Sequence, residues 1–252
     1  MNKRISLLAL SAMMGAFATH AASAADLAPP PPPPAPEIRT TVSDWTGPYI
    51  GAVLGGTCMD TQMTIYLDLG NDGSINDVFN GLPINGCGWS GGLLTGFNYQ
   101  IDNIVLGLEG DWTWGSRTGK HTDIVTPPGV IQRDHYKIQW QTSLRARVGV
   151  LSTDQTLLYL TGGISWLKGT LKETNPLVVS DSKQHTGYIL GGGIEHAFTE
   201  NLHLRAEYLY GSYGKETYRF VGGGDAADIR MGLDHVHTFR VGVSWNFPIS
   251  QW

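Results

Sequence analysis

Residues 238–247 read T-F-R-V-G-V-S-W-N-F, and the fold turns on what lies against each face of this stretch. Phe239, Val241, Val243, Trp245 and Phe247 recur with a period of two, while Arg240, Gly242, Ser244 and Asn246 fill the alternate places. That period belongs to a strand, whose successive side chains point to opposite sides. An apolar strand face can cover a soluble core or meet lipid. The discriminating question is whether strand after strand keeps charge on one face and excludes it from the other.

Working outward, seven further segments alternate in the same way, at approximately 47–57, 89–99, 103–114, 136–150, 156–167, 187–198 and 202–213, with 236–247 as the eighth. In 136–150, Ile138, Trp140, Thr142, Leu144, Ala146 and Val148 oppose Lys137, Gln139, Gln141, Ser143, Arg145 and Arg147. In 202–213, Leu202, Leu204, Ala206, Tyr208 and Tyr210 oppose His203, Arg205 and Glu207; in 103–114, Leu106, Leu108, Trp112 and Trp114 oppose Glu109 and Asp111. The first and fifth segments are less decisive, with Gly and apolar residues on both faces. Each segment is close to the ~9–11 residues that a tilted strand needs to cross a bilayer.

The connections support the same reading. Long stretches at about 58–88, 115–135, 168–186 and 214–235 alternate with tight ones at Gln100-Ile101-Asp102, Ser152 to Gln155 and Glu200-Asn201. Long outer loops and short periplasmic turns are the habit of outer-membrane barrels. Trp89, Trp112, Trp114, Trp140, Trp166 and Tyr188 fall at one set of strand ends, and Phe97, Tyr99, Phe198, Trp245 and Phe247 at the other. Two such girdles mark the two membrane–water interfaces. A lipocalin-like barrel, apolar inside and charged outside, is the competitor. The charge-free apolar faces, the loop alternation and the girdles disfavour it. The fold class expected is all-β: an eight-stranded antiparallel up-and-down transmembrane β-barrel over residues 45–252.

The start of the chain reads as an export signal over residues 1–24. Lys3 and Arg4 precede an apolar run from Leu7 to Ala18, and Ala22-Ser23-Ala24 offers a small-residue cleavage site. Removing Lys3 and Arg4 leaves 15 basic against 22 acidic residues, a net charge near −7. So acidic a protein, with no Lys/Arg run, is unsuited to binding nucleic acid through its phosphates. Residues 25–44 form a leader in which Pro29 to Pro34 are consecutive prolines. Such a tract is an extended polyproline II segment. It serves either as a plain spacer or as a contact with peptidoglycan. Cys58 and Cys87 are an even pair in an exported chain, which favours a disulfide, with two free thiols as the alternative.

Two groups of polar residues invite a chemical reading. The polar faces bring Arg145, Arg147, Arg205 and Arg240 together with Glu109, Asp111, Glu195 and Glu207. Inside eight strands there is room only for side chains, so an interior ion-pair network is expected, with a proton or small-ion path as the alternative. His121, His135, His185, His235 and His237 fall in outer loops or at outer strand ends, where imidazoles can ligate hemin iron or a divalent metal. Their spacing matches no metal motif. Asp68-Leu69-Gly70-Asn71-Asp72-Gly73-Ser74 fails as a calcium loop, since Gly70 and Phe79 stand where ligands are required. No nucleophile elbow and no His-Glu-x-x-His motif occurs, and no enzymatic activity is expected.

Ala24 to Leu27, W-T-G-P-Y-I-G from Trp45 to Gly51, L-Y-L-T-G-G from Leu158 to Gly163, G-G-G-I-E-H from Gly191 to His196 and R-V-G-V-S-W-N-F from Arg240 to Phe247 together span nearly the whole mature chain. In these places the sequence resembles the small outer-membrane barrels of alphaproteobacteria, a family that includes surface antigens and hemin-binding proteins. The resemblance implies eight strands and an envelope role, not a catalytic activity; hemin or metal reception through the rim histidines is the alternative role, and a narrow channel through the interior charges the third. Arg240, Gly242, Trp245 and Phe247 resemble the assembly signal read by the outer-membrane insertion machinery. The chain departs from the family in continuing past Phe247 to Trp252. The partners implied are outer-membrane lipid and lipopolysaccharide, the assembly machinery and, through the leader, peptidoglycan.

Overall fold

The computed structural model describes residues 44–249, apart from 71, 127–129, 174–178 and 223–224. The export signal, the proline tract and Trp252 lie outside the described residues. Eight strands follow in order: β1 (Gly47–Asp68), β2 (Asp77–Ile101), β3 (Ile104–Thr126), β4 (Val130–Thr153), β5 (Thr156–Glu173), β6 (Val179–Ala197), β7 (Leu202–Gly222) and β8 (Asp225–Asn246). Each pairs antiparallel with its neighbour, and β8 returns to pair with β1, closing the barrel. The three short connections stand where expected. The β2–β3 turn is made by Asp102 and Asn103, with Asp102 in the left-handed region at φ 52°.

The long connections expected from the sequence are mostly strand. β1 runs on to Asp68 and β2 begins at Asp77, so of the stretch 58–88 only residues 69–76 join strands. The reason is visible in the inward face. On β1, Ile50 and Leu54 point outward below, whereas above them Met59, Met63 and Ile65 point inward and Cys58 and Asp60 outward. On β8, Phe239, Val241, Val243 and Trp245 are outside, while Ile229, Met231, Leu233 and Val236 are inside. The period of two continues past the girdle, but its apolar phase moves from the outer face to the inner one. Below this inversion the barrel meets lipid; above it, the barrel meets water and holds its own core.

The girdles sit where the strand reading puts them. Trp89, Trp112, Trp114 and Tyr188 are at least 49% exposed on the outer side, and Tyr99, Phe198, Trp245 and Phe247 at least 48% on the periplasmic side. Nine residues of β3, Leu106 to Trp114, connect the two levels. Above the girdle, β1 alone adds the ten steps from Cys58 to Asp68. At ~3.3 Å per residue and a tilt near 40°, this is a projection of about 25 Å beyond the membrane. Cys58 and Cys87 are directly opposed on β1 and β2, bonded to each other, and face outward at the foot of this projection.

Candidate functional site

The lumen is built in tiers. In the middle stand the eight charged residues expected there, all at most 6% exposed. Their backbone positions alternate inward on β3, β4, β6, β7 and β8, so each long side chain points toward the axis. Glu109 is the hub. It accepts hydrogen bonds from Arg145, Arg205 and the Tyr49 hydroxyl (2.8 Å), and the guanidinium groups of Arg147 and Arg240 lie at 3.7 and 3.6 Å. Asp111 accepts from Arg145 at 3.0 Å and Arg240 at 2.9 Å. Glu207 accepts from Arg145 (3.2 Å), Arg240 Nε (2.6 Å) and the Tyr159 hydroxyl (3.1 Å). Glu195 accepts from Arg147 (2.9 Å), Arg205 (3.3 Å) and Ser244 (3.1 Å).

Four cations against four anions leave the tier without formal net charge. Buried charge is tolerated only with such pairing. Because β3 lies opposite β7 in an eight-strand ring, Arg205 reaching Glu109 crosses the full lumen. The guanidinium of Arg147 also lies over the Tyr159 ring at 4.5 Å and the Tyr49 ring at 5.5 Å, adding cation–π attraction in a place without water competition.

Tyr49 and Tyr159 were not singled out from the sequence, because β1 and β5 are the two strands whose faces read ambiguously. Their register supplies the missing signal: Tyr49 stands opposite Gly96, and Tyr159 opposite Gly193. A methyl group on Gly193 would come within 2.6 Å of the Ala206 carbonyl oxygen and 2.9 Å of the Tyr159 Cζ, so both the β7 backbone and the ring that lies across β6 call for glycine there. Arg117 was also missed, since it falls in a stretch expected to be loop. It is fully buried just above the network and donates to Gln141 Oε1 at 2.9 Å and to the Thr113 carbonyl at 3.4 Å.

Above Arg117 the lumen is filled by apolar side chains: Met59, Met63, Ile84, Ile138, Leu167, Leu171, Phe220 and Met231 pack into one cluster with Tyr136, Tyr213 and Tyr218. Below the network, Trp45 plugs the periplasmic mouth against Val105, Leu157, Tyr159 and Ala197, its ring 4.4 Å from that of His203. The lumen is thus occupied by side chains at all three levels.

The four rim histidines with described side chains do not converge. His185 points into the upper cluster, its Nδ1 facing the Gly214 carbonyl (2.9 Å) and its Nε2 the Tyr218 hydroxyl (2.7 Å). It lies above the lipid-facing part of β6, and burial holds its pKa below the ordinary value of 6.5. His235 and His237 are on the outer surface, packed with Tyr208 and Tyr210. His135 is on β4, across the barrel from β8, and the side chain of His121 lies outside the described residues. Among the described residues no three His, Cys, Asp or Glu side chains gather as metal ligands do. In the segment expected to direct assembly, Arg240 joins the network while Trp245 and Phe247 face outward at the periplasmic girdle. Gly242 lies against Val53, whose Cγ1 would be 2.7 Å from a methyl group there.

A closed barrel with lipid-facing apolar strands and a charged interior matches a known profile over residues 8–247, that of the outer membrane protein beta-barrel domain. The chain belongs to that family. It is 31% identical to the 31 kDa outer-membrane immunogenic protein of Brucella melitensis biotype 1, over 97% of this chain and the whole of that one. It is 30% identical to the 25 kDa outer-membrane immunogenic protein of the same organism, over 96% of this chain and 98% of the relative. The 22 kDa outer membrane protein of Rhizobium leguminosarum bv. viciae is 32% identical over 66% of this chain and 74% of its own length. Among solved structures, the outer membrane protein OprG of Pseudomonas aeruginosa superposes with a TM-score of 0.51 at 11% identity, covering 82% of this chain and 99% of that one. That likeness is one of fold. The family member described here is an outer-membrane β-barrel, and its Brucella relatives are named outer-membrane immunogenic proteins.

Proposed function

We propose that this barrel is a non-conducting component of the cell envelope, which strengthens the outer membrane and carries its hairpin tips clear of the surface. The observation that carries the reading is the filling of the lumen at three successive levels. Solute passage needs an open, hydrated cross-section, and an eight-stranded barrel has just enough interior for side chains. Here Trp45, the ionic tier and the apolar cluster occupy that interior in succession. Opening a path would separate buried ion pairs or wet an apolar core, both costly. The same filling, among the described residues, gives a substrate little room in the lumen, which favours a structural role over an enzymatic one. Projection of rigid strands beyond the membrane suits display to the outside, in keeping with the names of the Brucella relatives.

Planar-bilayer recording on the purified protein tests this. The expected trace shows no discrete conductance steps in molar salt, and Trp45→Ala adds none because two further tiers remain. Steps in the unaltered protein, enlarged by Trp45→Ala, would instead establish a narrow channel.

A further inference from the structure

The outer surface just above the lipid-facing band is not uniform around the barrel. On β4 and β5, Lys137, Lys168 and Lys172 point outward, and none has a carboxylate within ion-pair distance among the described residues. Lys168 is paired in register with Trp140 of the outer girdle; Lys137 opposes Thr170, midway between Lys168 and Lys172. Two residues along a strand are about 7 Å, so the three ammonium groups fall within the span of one polyanionic headgroup. The facing outward positions on β6, Ser182, Gln184 and Thr186, are neutral. On the opposite wall, Asp60 stands at the same height between β8 and β2. A cationic sector on a chain of net charge −5 is a local arrangement, not an overall bias.

Directly below, on the same strands, the lipid-facing surface is concave. Ala146 and Gly162 face each other in register on β4 and β5, and their lack of bulk leaves a groove walled by Leu106, Val148, Leu160 and Leu190. From Lys168 down β5 to Gly162 is six residues, about 20 Å along the strand and about 15 Å in depth at the tilt of such a barrel. That is within the reach of an acyl chain hanging from a headgroup at the lysines. Trp140 and Trp166 occupy the level between, where amphipathic rings favour the boundary of acyl chain and headgroup.

We propose that the face formed by β3–β6 binds a phosphorylated glycolipid of the outer leaflet. Its phosphates sit on Lys137, Lys168 and Lys172, and one acyl chain lies over Ala146 and Gly162. A neutral lipid would leave the ammonium groups without counter-charge, and a soluble anion would leave the groove without an occupant. The site stands whether or not the lumen conducts, since every residue in it faces away from the axis.

The test is native mass spectrometry on the full mature protein in detergent, titrated with bisphosphorylated lipid A, with its dephosphorylated form and with inorganic phosphate. The expected result is retention of the phosphorylated lipid alone. Its affinity falls tenfold or more in Lys137→Gln/Lys168→Gln/Lys172→Gln, and a further few-fold when Ala146→Leu fills the groove. Removing Lys215 and Arg230 on β7 and β8 serves as the charge control and leaves affinity unchanged. Folding of each variant is read from its gel mobility before and after boiling. Equal retention of the dephosphorylated lipid, competition by inorganic phosphate alone at similar concentration, or unaltered binding by the folded triple variant would each overturn the proposal.

Discussion

Arg240 on β8 and Asp111 on β3 lie 129 positions apart in the chain, yet Arg240 Nη1 donates to Asp111 Oδ2 at 2.9 Å. The contact exists only once β8 has closed against β1, so the last strand brings both the final backbone ladder and a cation that three acids await. Replacing Arg240 with Met leaves Glu207 and Asp111 each short of a buried partner. A destabilisation of about 3–5 kcal/mol is expected. It would be read as a lower boiling temperature for the mobility shift and a lower urea midpoint. Adding Glu207→Gln to Arg240→Met should restore part of the loss, because it removes the charge that was stranded. If the double variant is no more stable than the single one, the penalty does not come from unpaired charge.

Arg147 combines a hydrogen bond to Glu195 at 2.9 Å with stacking on Tyr159. Arg147→Ala is expected to lower the melting temperature of the barrel, and Arg147→Lys to recover less than half of the difference. A compact ammonium can meet one carboxylate but cannot present a planar fork to Glu195 while lying on a ring. Full recovery by Lys would reduce Arg147 to its charge.

Gly96 and Gly193 are expected to be intolerant because a side chain there would meet both an inward tyrosine and a neighbouring carbonyl oxygen, that of Leu108 or of Ala206. Each leaves the space into which an inward tyrosine from the adjacent strand lies. Gly193→Val should therefore hinder folding into the heat-modifiable form, and the pair Gly193→Val/Tyr159→Ala should regain only part of it, since the Ala206 carbonyl oxygen still stands 2.6 Å from the new Cβ. If the second change brings no relief, the intolerance belongs to the backbone and not to the ring.

His185 gives the projecting half of the barrel a pH dependence. Burial among Tyr136, Tyr218 and their apolar neighbours lowers its pKa in the folded state, with only partial opposition from the Gly214 carbonyl and from Glu216. The unfolded chain therefore binds the proton first as pH falls. Stability from this group is complete above about pH 6.5 and declines as pH drops below it, by at most about 1.4 kcal/mol per pH unit. Corrected for the slower intrinsic exchange at low pH, the protection factors of the β6 and β7 amides above the girdle should fall between about pH 6.5 and 5, and His185→Gln should flatten the change. An equal slope in the variant would assign the effect to other groups.

The lipid-facing half of the barrel was legible because two constraints act there at once: lipid excludes charge from one face, and a narrow lumen gathers it on the other. All eight network residues followed from that pattern. The projecting half was read as loop because the apolar phase inverts, so Met59, Met63 and Ile65 break the expected outer face while preserving the period. Arg117 went unnoticed for the same reason, and Tyr49 and Tyr159 because a phenol belongs equally well to a girdle or to a polar core. The histidines looked like a cluster because height along the barrel can be read from sequence, whereas position around it follows only from the closed order of strands.

The Cys58–Cys87 bond lies at that phase boundary, exposed on the outside, where the membrane no longer holds β1 and β2 and the inner core begins. Closing a loop of 29 residues is worth about 3–4 kcal/mol in chain entropy. Here most of that acts on the hairpin above it, since the strands below are already fixed by lipid and by the ionic tier. Cys58→Ser/Cys87→Ser should therefore still insert and show a mobility shift on boiling. Its β1–β2 tip should become open to protease on intact cells, and the same cleavage should appear in the unaltered protein after treatment with an impermeant reductant. A barrel that fails to assemble without the bond would place its contribution in the membrane-spanning half instead. A tip as resistant as before would mean that Met59, Met63 and Ile84 hold the projection together unaided.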